Sequence, residues 1–347
     1  MKLKDKVPTL YEGKIDSALL DKEVPEEKYT NCSNCHLCIN DNQPRAKTKC
    51  CDYHPNLPNY IVGAILTQEE ESQSEGYLRI KRKIVEKKGV TPYGIMAPLN
   101  HFIKFKKSRL DPYAWPKKMA IQELLCPYYD HGSCTIWKFR SNLCATYHCN
   151  SVAGKSGLRY WDILYKYLQL VEYSLSIYIL KALGYSSQKI INKPLTPIDL
   201  KLEDNSGALN ISLYDDIWDN WKGDELSFYK QCFRIFQDIT PMMFQEIIGN
   251  SGVKLEQDLI YQKEEFFSKI IPGKLLFDEE ALDIEVQPNK IVKINGREIP
   301  IILYHFIRAF DGMMETDIII RKSMLVQNSI VNQINPLIEQ GILTIKE

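Results

Sequence analysis

Thiol groups are the residues of this chain best suited to chemistry, and they crowd into one stretch of it. Nine of the ten cysteines and five of the six histidines lie between residues 32 and 149. The cysteines come in two bursts: Cys32, Cys35, Cys38, Cys50 and Cys51, then Cys126, Cys134, Cys144 and Cys149. Thiolate sulfur is a soft ligand, and two cysteines with two residues between them reach one metal from a single tight turn. The run Cys32, Cys35, Cys38 can wrap a corner of an iron–sulfur cluster, with Cys126-Pro127 as a candidate distant ligand that closes it. Zinc would serve the same sulfurs. The adjacent pair Cys50-Cys51 suits neighbouring sites better than one tetrahedron, which tilts the choice toward iron–sulfur. His36, His54, His131 and His148 each lie within five residues of a cysteine and are further ligand candidates, although a loop histidine bonded to its own surroundings is the simpler expectation. His101 is a weaker candidate, His305 reads as core, and Cys232 reads as a packing thiol.

The rest of the composition narrows what such a site could serve. Lysine plus arginine and aspartate plus glutamate both number 44, so no overall charge steers the molecule toward nucleic acid. Met1 to Asp21 is charged and lacks the apolar run of a signal peptide. The most apolar stretch, Leu158 to Leu183, holds Asp162, Lys166, Gln169 and Glu172, too many polar groups for a lipid-facing span. These features predict a cytoplasmic protein with no membrane partner, in which clustered cysteines stay reduced and hold metal. Charge is uneven along the chain. Tyr77 to Lys118 has twelve lysines or arginines against Glu86 and Asp111, whereas Pro197 to Lys290 has nineteen acidic residues against nine basic. The basic segment reads either as a face packed against the acidic part or as a surface for an acidic partner.

The elements that must position the thiols follow from periodicity. The expected fold class is α+β, mainly α, in four regions: an N-terminal extension (1–31), a loop-rich cysteine-ligated metal domain (32–185), a helical region (186–280) and a small C-terminal domain (281–347). Helical spacing marks Ile61–Gln73, Tyr77–Lys88 and a long helix over Leu158–Leu183 closed by Gly184. Further helices are predicted at Leu213–Lys222, Asp224–Ile239, Pro241–Ile248 with Thr240 as N-cap, and Leu255–Ile270. Gly89, Pro92, Gly94 and Pro98 interrupt the chain, and residues 111–150 read as loops. The tail alternates like strands at Leu282–Val286 and Lys290–Ile294. Helices follow over Pro300–Phe310, near Thr316–Leu325 and over Ser329–Gln340, and a strand closes the chain. That order resembles a winged-helix or PqqD-like domain.

The second burst has a pattern of its own: Cys126-Pro-Tyr-Tyr, then Cys134-Thr-Ile-Trp, then Arg140 four residues before Cys144, with Tyr147 beyond. Together the two bursts resemble the YkgJ-type cysteine-cluster family of zinc- or iron-chelating proteins. That family shows C-x2-C-x2-C-C and a later "CPFL…C-x-I-Y-x-x-R-P-x-x-C-R-x-Y" element. In this chain eleven residues, Ile39 to Lys49, precede the paired cysteines, Ser141 replaces the proline and Ala145 the arginine. The resemblance implies metal held by Cys32, Cys35, Cys38, Cys50, Cys51, Cys126, Cys134 and Cys144, with Cys149 next. Arg140 would hydrogen-bond to thiolates. A related branch resembles flagellin lysine N-methylase, which implies a protein or peptide substrate, S-adenosylmethionine and an iron–sulfur cluster. A zinc-stabilised interaction module without catalysis is the alternative. Gly154-Lys155-Ser156 lacks both the leading glycine and the strand of a phosphate loop. Asp215, Asp216 and Asp219 read as a solvated helix face.

Overall fold

The computed structural model describes residues 1–27, 51–110, 124–148, 151–185, 201–204, 207–322 and 327–346. Cys32, Cys35, Cys38, Cys50 and Cys149, with His36, lie outside them. Helix accounts for 55% and strand for 13%, so the chain is mixed α/β and mainly helical.

Residues 1–27, expected to be an extension, are built into the main core. Leu3, Val7, Tyr11, Ile15 and Leu19 recur every fourth residue and are all buried. The charges between them mask this spacing in the sequence. The stretch holds two 3-10 turns and one short helix, α1 (Ser17–Leu20), whose N-cap Asp16 accepts from the Ala18 N–H at 2.8 Å. Two polar ties fix it in place. The Tyr11 and Tyr60 hydroxyls share a buried hydrogen bond of 2.8 Å. The Glu27 carboxylate accepts from Ser151 Oγ (2.7 Å), Trp161 Nε1 (2.6 Å) and the Val152 N–H (2.8 Å).

Strand β1 (Leu57–Pro58) leads into α2 (Asn59–Gln68), which is buried on every side from Asn59 to Leu66 because the sequence is apolar all round. Next come α3 (Glu75–Glu86), β2 (Val90–Thr91), β3 (Gly94–Ile95) and α4 (Leu99–Leu110). β1 and β2 both pair antiparallel with β3. Of the glycines and prolines read as interruptions, Gly89 precedes β2, Pro92 lies in the turn between β2 and β3, Gly94 opens β3 and Pro98 precedes α4, a helix that was not expected. β4 (Tyr129–Asp130) and β5 (Ser133–Cys134) form a hairpin, followed by α5 (Asn142–Thr146) and α6 (Gly154–Ala182). Helix α6 ends as anticipated. Gly184 has φ +84°, its N–H bonds the Lys181 carbonyl, and the Tyr185 N–H bonds the Leu180 carbonyl, which is a complete Schellman stop.

Helices α7 (Ile211–Trp218), α8 (Glu225–Asp238) and α9 (Pro241–Ser268) complete the main body. Thr240 caps α9 through the Met243 N–H, and Gly249 breaks its geometry, so the two helices expected there run on across a kink. α6 packs along α9, and α2 along α8. Where α2 meets α8, a Cβ on Gly63 would collide with the Tyr229 carbonyl.

A second core belongs to the C-terminal part. It contains β6 (Lys274–Leu276), β7 (Ile284–Val286), β8 (Ile291–Ile294), β9 (Arg297–Pro300), α10 (Ile301–Ile307), β10 (Asp311–Glu315), α11 (Thr316–Lys322), α12 (Gln327–Glu339) and β11 (Thr344–Lys346). β7, β8 and β9 form one antiparallel sheet, while β6 lies between β10 and β11 in another. Leu275, Ile294, Phe310, Ile320 and Leu337 share one buried cluster, separate from that of the main body. The Lys155 N–H donates to Asn332 Oδ1 (3.1 Å), and Asn335 Nδ2 to the Lys269 carbonyl (2.8 Å), which seats α12 against α6 and the end of α9. Among the described residues no helix is long and apolar enough to cross a membrane.

Candidate functional site

The second cysteine burst is carried by the β4–β5 hairpin and its flanks. His131 and Gly132 form the two-residue turn, with φ +40° and +95°, the left-handed pair that matches strand twist. Thr135 fastens the base of the hairpin, its N–H and Oγ1 both donating to the Tyr128 carbonyl at 2.9 Å. Arg79 of α3 holds the other side. Its Nη1 donates to the Pro127 carbonyl (3.0 Å) and the Tyr129 carbonyl (2.7 Å), and its Nη2 to Asp130 (3.0 Å). Glu75, one helical turn earlier, accepts from Arg79 Nε at 2.6 Å and sets the guanidinium plane.

This framework brings one thiol of the first burst to three of the second. The Cys126 N–H donates to the Cys51 carbonyl at 2.8 Å, joining the two stretches through their backbones. Cys126 is buried, while Cys51, Cys134 and Cys144 are partly so. Burial pushes the Cys126 thiol far up, and Cys144, Cys51 and Cys134 push it further; Cys144 is pushed up to about 12 by burial, then by Cys134 and Cys51. Cys126 and Cys144, each opposed by cysteine neighbours, are disfavoured as thiolates unless a cation compensates their charge. Two of the four sulfurs are already oriented by the backbone, since Cys126 accepts from the Tyr128 N–H and Cys134 from the Ile136 N–H. The five described cysteines, Cys232 included, are thiols rather than disulfides. Among the described residues no group of three His, Cys, Asp or Glu is arranged to hold a metal ion.

The surroundings add a cation, an orphan hydroxyl and a committed histidine. Arg140 lies over the Trp137 ring at 3.5 Å and donates to the Trp137 carbonyl (3.1 Å) and the Lys6 carbonyl (3.4 Å). Burial lowers its pKa, while Cys134 and Cys144 act the other way, so the guanidinium is a countercharge for those sulfurs. The Tyr128 hydroxyl is fully buried, has no hydrogen-bond partner among the described residues, and is within electrostatic reach of Cys126, Cys134 and Cys144. His54 bonds at both nitrogens: Nδ1 to the Pro55 carbonyl (3.0 Å) and Nε2 to Lys83 Nζ (2.9 Å). The carbonyl can only accept and the ammonium only donate, so His54 is neutral, protonated on Nδ1, with its other lone pair occupied. It therefore has no lone pair left to ligate a metal in this arrangement. His131 is the hairpin turn, and His148 packs on the Trp161 ring at 4.3 Å between centroids.

Of the nine predicted ligands, Cys51 and Cys126 meet through their backbones, and Cys134 and Cys144 lie within electrostatic reach of Cys126, without the four forming a metal-holding group. Sequence reasoning missed Arg79, Lys83, Tyr128 and Glu172, a buried carboxylate that accepts from the Asn142 N–H at 2.6 Å at the start of the Cys144 helix. Only the Glu75-x3-Arg79 spacing was visible in advance, and its target across the fold was not. No family model matches the chain, and neither a curated protein nor a solved structure matches it.

Two outcomes follow for this framework. Arg79→Ala strips donors from two backbone carbonyls and should cost about 2 kcal/mol in urea unfolding, with Arg79→Lys recovering only part, because one ammonium does not span three acceptors. Burial first, then Lys83 and His101, hold the His54 pKa well below its ordinary value. The unfolded chain takes up that proton near pH 6.5 and the folded chain resists it. Stability should therefore be complete above about pH 6.5 and fall as the pH drops below it, and His54→Gln should flatten that fall.

Proposed function

We propose that this chain is a cysteine-cluster metalloprotein whose inorganic centre is held by Cys51, Cys126, Cys134 and Cys144, together with Cys32, Cys35, Cys38 and Cys50, and with Cys149 next. The observation that carries this reading is the convergence of thiols from both bursts, tied by the Cys126–Cys51 backbone bond. The donor set fits a soft cation in chemistry: mutually opposed thiols, N–H groups already directed at two sulfurs, and the Arg140 guanidinium alongside. The Tyr128 hydroxyl fits as well, since burying it without a partner costs about 1–3 kcal/mol unless a bound group accepts from it. An iron–sulfur cluster would supply electron exchange, whereas zinc would chiefly supply folding energy. The chain's own residues exclude water, orient the sulfurs and offset their charge. The setting is taken to be cytoplasmic.

The activity suggested by the YkgJ-type resemblance is modification of a protein or peptide, in the manner of a lysine N-methylase with S-adenosylmethionine. It rests on the Cys126 to Tyr147 pattern. The C-terminal order of helix, strand, two helices and strand (α10, β10, α11, α12, β11) is the feature that favours a winged-helix-like or PqqD-like peptide-holding unit.

Metal analysis and visible spectra of anaerobically purified protein test the central reading, with Cys126→Ser expected to lose most of the bound metal and to melt earlier. Tyr128→Phe discriminates more finely. In chelator-treated protein the change should be neutral or stabilising, because it deletes an unsatisfied hydroxyl; in metal-loaded protein it should lower the melting temperature or shift the absorption bands. Metal-free wild type together with an unaltered Cys126→Ser protein would overturn the proposal.

A further inference from the structure

A cavity of about 120 Å³ opens between β1, β3, α6 and the first residue of α5. It is much larger than the volume one water needs, so it has room for a ligand of several heavy atoms. Glu172 lines it and is only 6% exposed. The Asn142 N–H occupies Oε1 of that carboxyl, and among the described residues no lysine, arginine or histidine acts on it. A buried carboxylate without a cation is costly: burial holds the Glu172 carboxyl well above its ordinary range, and no basic side chain among the described residues offsets it. Two half-buried aromatic residues also line it, Tyr93 from the turn before β3 and Tyr173 from α6, close enough that Tyr93 raises the pKa of Tyr173. Ile95 and Met96 supply apolar surface on another side.

We infer that this cavity is a binding site for a short primary alkylammonium group, with the cation paired to Glu172. Aromatic faces attract cations through their quadrupole, so Tyr93 and Tyr173 suit an ammonium entering beside the carboxylate. The apolar side suits the methylene stem. A neutral isostere would leave the carboxyl unpaired, and an anion would repel it. The inference does not depend on metal at the thiols, because none of the proposed ligands lines the cavity.

Calorimetric titration of the full-length protein with n-butylamine, n-butanol and butyrate at pH 7.5 tests it. The amine should bind at least about tenfold more tightly than the alcohol, with no binding of butyrate. Glu172→Gln keeps an acceptor for the Asn142 N–H and removes the charge, so in protein shown to be folded by its melting curve it should lose about tenfold or more in amine affinity. An Nα-acetyl-lysine amide arm shows whether the ammonium is taken from a lysine side chain or only from a small amine in solution. Binding of butanol and butylamine with equal affinity, or an undiminished amine affinity in a folded Glu172→Gln protein, would overturn the inference. Metal content is read in the same samples, so its loss would count against the thiol centre and not against this cavity.

Discussion

The hydrogen bond from the Cys126 N–H to the Cys51 carbonyl is the constraint on which the site depends. It joins backbones far apart in sequence, so the sulfurs on either side of it owe their proximity to the fold and not to local spacing. Everything around the bond keeps it in place. Arg79 anchors the loop after Cys126 to α3, Thr135 closes the hairpin that carries Cys134, and Glu172 caps the short helix that carries Cys144. Each of these groups bonds main-chain atoms, which fixes the backbone that carries the cysteines.

The cost of this arrangement is electrostatic. Burial makes Cys126, Cys134 and Cys144 resist ionisation, and the basic groups nearby offset only part of that resistance. Arg140 acts on Cys134 and Cys144, while Lys83, lowered to about 8 by burial, is drawn back upward chiefly by Cys126. A bound cation would offset that resistance, which is the premise of the proposed metal centre. The same logic, with carboxylate in place of thiol, governs the cavity at Glu172.

The thiols and most of the helices were legible in the sequence because their signals are local. The Schellman glycine at 184, the Thr240-Pro241 start and the periodicity of α6 depend only on near neighbours. What escaped notice depends on distant partners. The stripe from Leu3 to Leu19 has no helix to declare it, and its burial is settled by Tyr60 and α6. His54 looked like a ligand candidate by its distance from Cys51, but its nitrogens are claimed by Pro55 and by Lys83, a residue on another helix. The basic segment also proves partly inward-facing. Arg79 and Lys83 serve the site, Lys87 lies 4.8 Å over the Tyr214 ring, and Glu203 of the acidic half accepts from the Gly89 and Leu99 N–H groups. Lys87 and the Gly89 and Leu99 N–H groups are where the basic segment meets the acidic half.

X-ray absorption at the metal edge of anaerobically purified protein asks the most direct question of this account. The account requires a first coordination shell dominated by sulfur, at about 2.3 Å for either zinc or iron thiolate, and loss of sulfur scatterers in the Cys126→Ser variant. A shell of nitrogen and oxygen only, or a protein that carries no metal when prepared without oxygen and without chelator, would contradict it.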